Sequence, residues 1–159
     1  ASNVQAIVDG NQRVNRALKA GGDAVGATCV IHDLPGYLPM RDNPDMNQLL
    51  RANSEPLFGT DNVRQRVHMT ASTDMGDVSH LMPVIHPWVG CIEGVLHSAE
   101  YNITVPDVAY IKTAQALAMT IVDLLYDEAQ VAEEILENFE APLTKETYIE
   151  LLDSIASGK

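Results

Sequence analysis

Apolar residues along this chain switch between helical and strand-like spacing, and that alternation predicts an α/β fold. Three stretches carry the expectation. Residues 3–20 place Val4, Ile7, Val8, Val14 and Leu18 at helical intervals. The run "AVGATCVIHD" puts Val25, Ala27, Cys29 and Ile31 on one side of an extended chain. After Thr104, a long helix is predicted from Val108, Ile111, Gln115, Ala118, Val122 and Leu125, which step by three and four.

Each element has local support. Ser2 with Gln5 offers a capping box to the first helix, and Gly21-Gly22 offers a stop. The strand at 24–33 is followed by "LPGYLPMRDNP", whose prolines and glycine predict a loop and a domain crossover. "DMNQLLRANSEPLFG" reads as a second helix closed near Gly59, and "NVRQRVHMT" as a short strand through Val63, Val67 and Met69. Ser72 or Thr73 caps a short helix that runs through Leu81 and stops at Pro83. "VIHPWVGCI" is strand-like, with Pro87 placing it at an edge or a bulge. Thr104 and Asp107 form a T-x-x-D cap on the long helix, with Pro106 in its first turn. Two amphipathic helices complete the chain, at about residues 128–138 and 144–156.

Composition narrows the function. The 159 residues fit one average domain or pieces of two small ones, and 46% hydrophobic content supports a packed core. A net charge of −12, with only 10 Lys and Arg, argues against nucleic acid, which needs a basic surface to displace counterions. Nine carboxylates between Asp127 and Asp153 face a single Lys145, a pattern read first as a solvated helical face. Cys29 and Cys91 are far apart and form no CxxC, so both are read as reduced, buried thiols of a cytoplasmic protein. The apolar run "ALAMTIV" falls short of the roughly 20 residues of a membrane span. No basic-then-apolar leader is evident, and the opening "ASNVQ" without an initiator methionine suggests a processed product or a fragment.

The stretch "STDMGDVSHLMPVIHPWVGCIEGVLHS", residues 72–98, holds three of the five histidines and the only tryptophan. His97 lies where an apolar run gives way to "HSAEYN", a position suited to a metal ligand, although a lone histidine there is more often structural. Asp74, Asp77 and His80 stand three apart and would share a helical face, as an acid–base or metal cluster or as capping groups. The same helix start also suits a substrate carboxylate. His32, His68, His86 and Trp88 read as structural or packing residues, and no nucleophile motif or phosphate-binding loop is present.

The order "STDMGDVSHLMPVIH…G…LHSAEY", followed by "TAQALAMTIVDLLY", resembles the C-terminal part of the dizinc amidohydrolases, the family of aminoacylases, glutamate carboxypeptidases and p-aminobenzoyl-glutamate hydrolases. The resemblance covers nearly the whole chain and is strongest over 70–126. It implies the C-terminal part of a zinc-peptidase-like catalytic domain over 41–159, preceded over 1–40 by the end of an inserted α+β lid or dimerisation domain. It also implies His97 as the last zinc ligand, and Ser72, Thr73, Asp74 and Gly76 as lining of the substrate cleft. Two zinc ions, an N-acyl amino acid or dipeptide substrate, and a homodimer without membrane or nucleic-acid partners are expected of the full-length enzyme. The family's first histidine ligand, bridging aspartate and general-base glutamate have no match here, so no catalytic residue is assigned and the chain alone is expected to be inactive. A non-catalytic binding or assembly module that keeps half of the fold is the alternative.

Overall fold

The computed structural model describes residues 3–65 and 72–157. They are mainly helical and divide into two compact units. One unit comprises the described residues within 3–41, 72–82 and 141–157; the other comprises those within 42–65 and 83–140.

In the first unit, helix α1 spans Val4–Ala24. Its cap is Asn3, whose side chain accepts the Ala6 N–H at 2.8 Å. The helix runs through Gly21 and Gly22, so the expected stop comes later, at Val25. The half-buried stripe is Val4, Ile7, Val8, Asn11 and Asn15, while Val14 and Leu18 lie exposed. The stripe ends in polar residues because Asn15 is committed to Asp33, donating to its carboxylate at 2.6 Å.

Residues 25–33 form no helix and no strand. The strand pattern survives in burial, since positions 29–35 alternate half-buried and exposed. A strand also needs a ladder, and none is made to this segment among the described residues. The short helix α3, Met75–Val78, is only four residues long. Helix α5, Lys145–Ala156, opens on a capping box in which Thr144 and Thr147 exchange side-chain-to-backbone hydrogen bonds.

In the second unit, helix α2 spans Pro44–Phe58 and ends at Gly59, whose φ of 84° suits a residue without Cβ. A 3-10 turn follows at Thr60–Asn62. Of the strand expected over 62–70, residues 66–70 lie outside the described residues, and 63–65 have no regular structure. Residues 84–91 are likewise irregular, and pairing begins only at β1, Ile92–Glu93, antiparallel to β2, Asn102–Ile103.

The long helix starts differently from the T-x-x-D expectation. Pro106 precedes a π-helical stretch, Asp107–Lys112, with no side-chain cap, and α4 then covers Thr113–Glu137. α2 packs on α4 around a polar contact: Asn53 donates to the Asp123 carboxylate at 2.7 Å. Thr120 beside it donates to the Ala116 carbonyl at 2.8 Å. By length and composition, Asp107–Glu137 is apolar enough to cross a membrane, and little of its most apolar window is buried. Residues 126–129 interrupt it with non-helical backbone, at the boundary where the sequence pattern starts a new helix.

Asp127, Glu128 and Ala129 all have positive φ, a left-handed run that costs L-residues roughly 1–2 kcal/mol each. Replacing Ala129 by glycine is therefore expected to raise stability by about 1 kcal/mol in chemical denaturation, whereas Ala118→Gly in the regular part of α4 should lower it by about the same amount.

Candidate functional site

The segment 72–80 is built around Gly76. A Cβ at that position would collide with the Leu38 carbonyl oxygen, so only glycine lets the two backbones approach as they do. The Gly76 carbonyl is in turn used twice. Ser79 Oγ donates to it at 2.6 Å and His80 Nδ1 at 2.9 Å. On the other side, Asp77 accepts the Leu38 N–H at 2.9 Å, and Ser79 Oγ accepts the Arg41 N–H at 3.0 Å. The one-turn helix thus satisfies the amides of a neighbouring loop through side chains two residues apart, as a strand edge would through its backbone.

This arrangement separates the three residues that the sequence groups on one face. Asp77 is engaged with Leu38, His80 is buried against Gly76, and Asp74 is exposed, accepting from Thr73 Oγ1 at 3.1 Å. They form no shared cluster. Capping also differs from expectation: Asp74 occupies the cap position without a side-chain bond, and Thr73 Oγ1 accepts only the Met75 N–H, at 3.4 Å. A single helical turn sums too few peptide dipoles to hold a substrate carboxylate by itself.

Of the expected pocket lining, Ser72 and Asp74 are exposed, Thr73 is half-buried, and Gly76 is buried as the contact point with Leu38. Gly76 therefore has a structural duty that sequence reading did not assign. Ser79, at 1% exposure, is the residue that reading passed over, while His80, grouped there with Asp74 and Asp77, is 6% exposed. The G-x-x-S spacing of Gly76 and Ser79 was the available signal.

His97 lies in the other unit, in the loop joining β1 to β2. The Ser98 N–H donates to the Val95 carbonyl at 3.0 Å, which closes a turn with His97 in its third position. There φ is 65°, a value that type II turns normally give to glycine or asparagine. The side chain is exposed, so the imidazole is open to a ligand. Gly94 starts the loop with φ of 93°, and a Cβ there would strike the Glu100 carbonyl. His86 sits edge-on to Trp88, ring centroids 6.0 Å apart, and Trp88 stands more than half exposed.

Among the described residues, no three His, Cys, Asp or Glu side chains are grouped to hold a metal ion. A catalytic zinc takes three protein ligands and water, a set that the described residues do not provide. Compared with protein-family models, with curated proteins and with solved structures, the chain matches none.

Two measurements check this geometry. Gly76→Ala is expected to destabilise the chain by about 1–3 kcal/mol, since the obstacle is backbone, with the loss read from the denaturation midpoint. Tyr148 is held above the usual phenol range, first by desolvation and second by the negative charge of Asp77. Asp77→Asn should lower the Tyr148 pKa part of the way in an NMR titration, because the desolvation remains.

Proposed function

We propose that this chain contributes part of the site of a zinc-dependent amidohydrolase. In this reading His97 is a zinc ligand, and Ser72, Thr73, Asp74 and Gly76 form part of the wall for an N-acyl amino acid or dipeptide. Residues 1–40 are the end of a lid or dimerisation domain, and 41–159 belong to the catalytic domain of a cytoplasmic homodimer. The observation that best supports the reading is the backbone of His97. An exposed histidine held at positive φ in a tight turn, where glycine is the unstrained choice, is the kind of local cost found at functional positions. The motif order over 72–97 supplies the rest of the support. No general base is assigned, and the chain by itself is inactive in this proposal.

One observation favours the second reading, an assembly module. Ile111, Ile121, Val122 and Leu125 stand more than half exposed along the helical run of the second unit. An apolar surface of that kind is what a protein contact covers.

Zinc titrated into the 159-residue chain should shift the His97 imidazole signals, weakly because only one donor is offered. The accompanying shifts of the Leu96 and Ser98 amides should disappear in His97→Asn, which tolerates the same backbone. N-acyl amino acids should stay intact with zinc present. Zinc that leaves His97 unmoved removes it from the site, and clear turnover by this chain alone overturns the partial-site reading.

A further inference from the structure

The apolar stripe that the sequence offers for burial on the long helix lies open. Ile111, Ala118, Val122 and Leu125 are exposed. The contact with α2 uses the opposite side, where Ala116 and Thr120 are buried and Asp123 takes Asn53. On the open side Ile111, Ala114, Ala118, Ile121 and Leu125 recur at intervals of three and four, the spacing of a coiled-coil seam. With Tyr110, Leu117, Val122 and Tyr126 beside it, the seam exposes on the order of 700 Å² of apolar side chain, at about 100 Å² for each large residue. A standard interface takes about 800 Å² from each partner, so one such face laid on another reaches that size.

Two features fit this face to a second copy of the same chain. The first is charge. No Asp, Glu, Lys or Arg occurs from Thr113 to Val122, so two chains of net charge −12 bring no like charges together there. Lys112 stands at one end of the neutral stretch and forms no ion pair among the described residues, where Arg51–Glu55 is the single pair. At the other end Asp123 is held by Asn53, and Asp127 and Glu128 are exposed. An antiparallel two-fold pair brings each lysine to the acidic end of the second copy.

The second feature is size. In the register that sets Lys112 across from Asp127, Ala114 lies across from Leu125 and Ala118 from Ile121, so each small residue receives a large one. A parallel pair sets alanine on alanine and Glu128 on Glu128. A lipid surface fits less well. No Lys or Arg lies between Lys112 and Lys145 to meet anionic headgroups, α2 already occupies the other side of the helix, and the backbone breaks at 126–129.

We infer that the chain forms an antiparallel homodimer through this face of α4. Ala114 and Ala118 pack on Leu125 and Ile121 of the second copy, and Lys112 meets its Asp127–Glu128 end. The inference rests on the assembly reading above and names the partner.

The test is sedimentation equilibrium of the 159-residue chain, which should show monomer and dimer exchanging at micromolar concentration. Ala118→Glu places a good helix former at an exposed position, so circular dichroism should be unchanged while the dimer weakens roughly a hundredfold or more. Lys112→Glu should weaken it by about threefold, the scale of a surface ion pair. Adding Glu128→Lys should restore it, whereas adding Glu150→Lys, which returns the same net charge from the other unit, should not. Because the native chain is itself weighed, a variant that fails to fold leaves the test intact. A dimer indifferent to Ala118→Glu, failure of Glu128→Lys to rescue, or co-flotation with phosphatidylcholine vesicles in place of pairing overturns the inference. So does a monomer at every concentration. A monomer that binds a fluorescent apolar dye has its α4 face open and spares the assembly reading, and one that does not overturns both.

Discussion

The close approach of Gly76 to the Leu38 carbonyl is the constraint from which the first unit is built. Once those backbones touch, Asp77 and Ser79 are brought within reach of the Leu38 and Arg41 amides, and the Gly76 carbonyl can receive both Ser79 and His80. Each bond is worth only about 1 kcal/mol net, but leaving a buried partner unmet costs about 1–3 kcal/mol. The set therefore stands or falls together. His80 acquires its hydrogen bond to Gly76 and its burial as a by-product of this packing.

Much of the helical content was legible in the residues. The Pro44–Phe58 helix follows its apolar pattern to Gly59, and Thr144 begins α5 where a hydroxyl precedes an amphipathic run. The break at 126–129 falls where the pattern changes phase. Legibility failed where structure depends on a distant partner. Residues 24–33 have the alternation of a strand, but alternation states only which face is down, whereas a strand is made by its neighbour. Gly21 and Gly22 failed as a stop because glycine is a weak helix breaker, costing about 1 kcal/mol beside Ala.

The candidate site shows the same limit. Spacing placed Asp74, Asp77 and His80 on one helical face, but a single turn is too short for that face to exist, and each residue answers to a different partner. Position 97 could be marked as notable from its place at the edge of a polar loop. Its positive φ could not, because that follows from how Gly94 and Glu100 fold the loop back. The run 72–98 looks like one cluster on paper, yet its parts before and after Pro83 belong to different compact units.

The first unit is discontinuous, and this has a kinetic consequence. Its segments come from the start, the middle and the end of the chain, and the His80 carbonyl is capped by the Leu143 N–H at 3.3 Å. The second unit is complete once residue 140 has been made. During synthesis the Leu38–Asp77 contact can form early, but the unit cannot close until the last helix is available. Loop closure grows only logarithmically with length, so the wait is a matter of order more than of free energy. Until then the His80 carbonyl lacks its Leu143 partner, so the middle segment of the unit stays unfinished until the segment farthest from it in sequence order arrives.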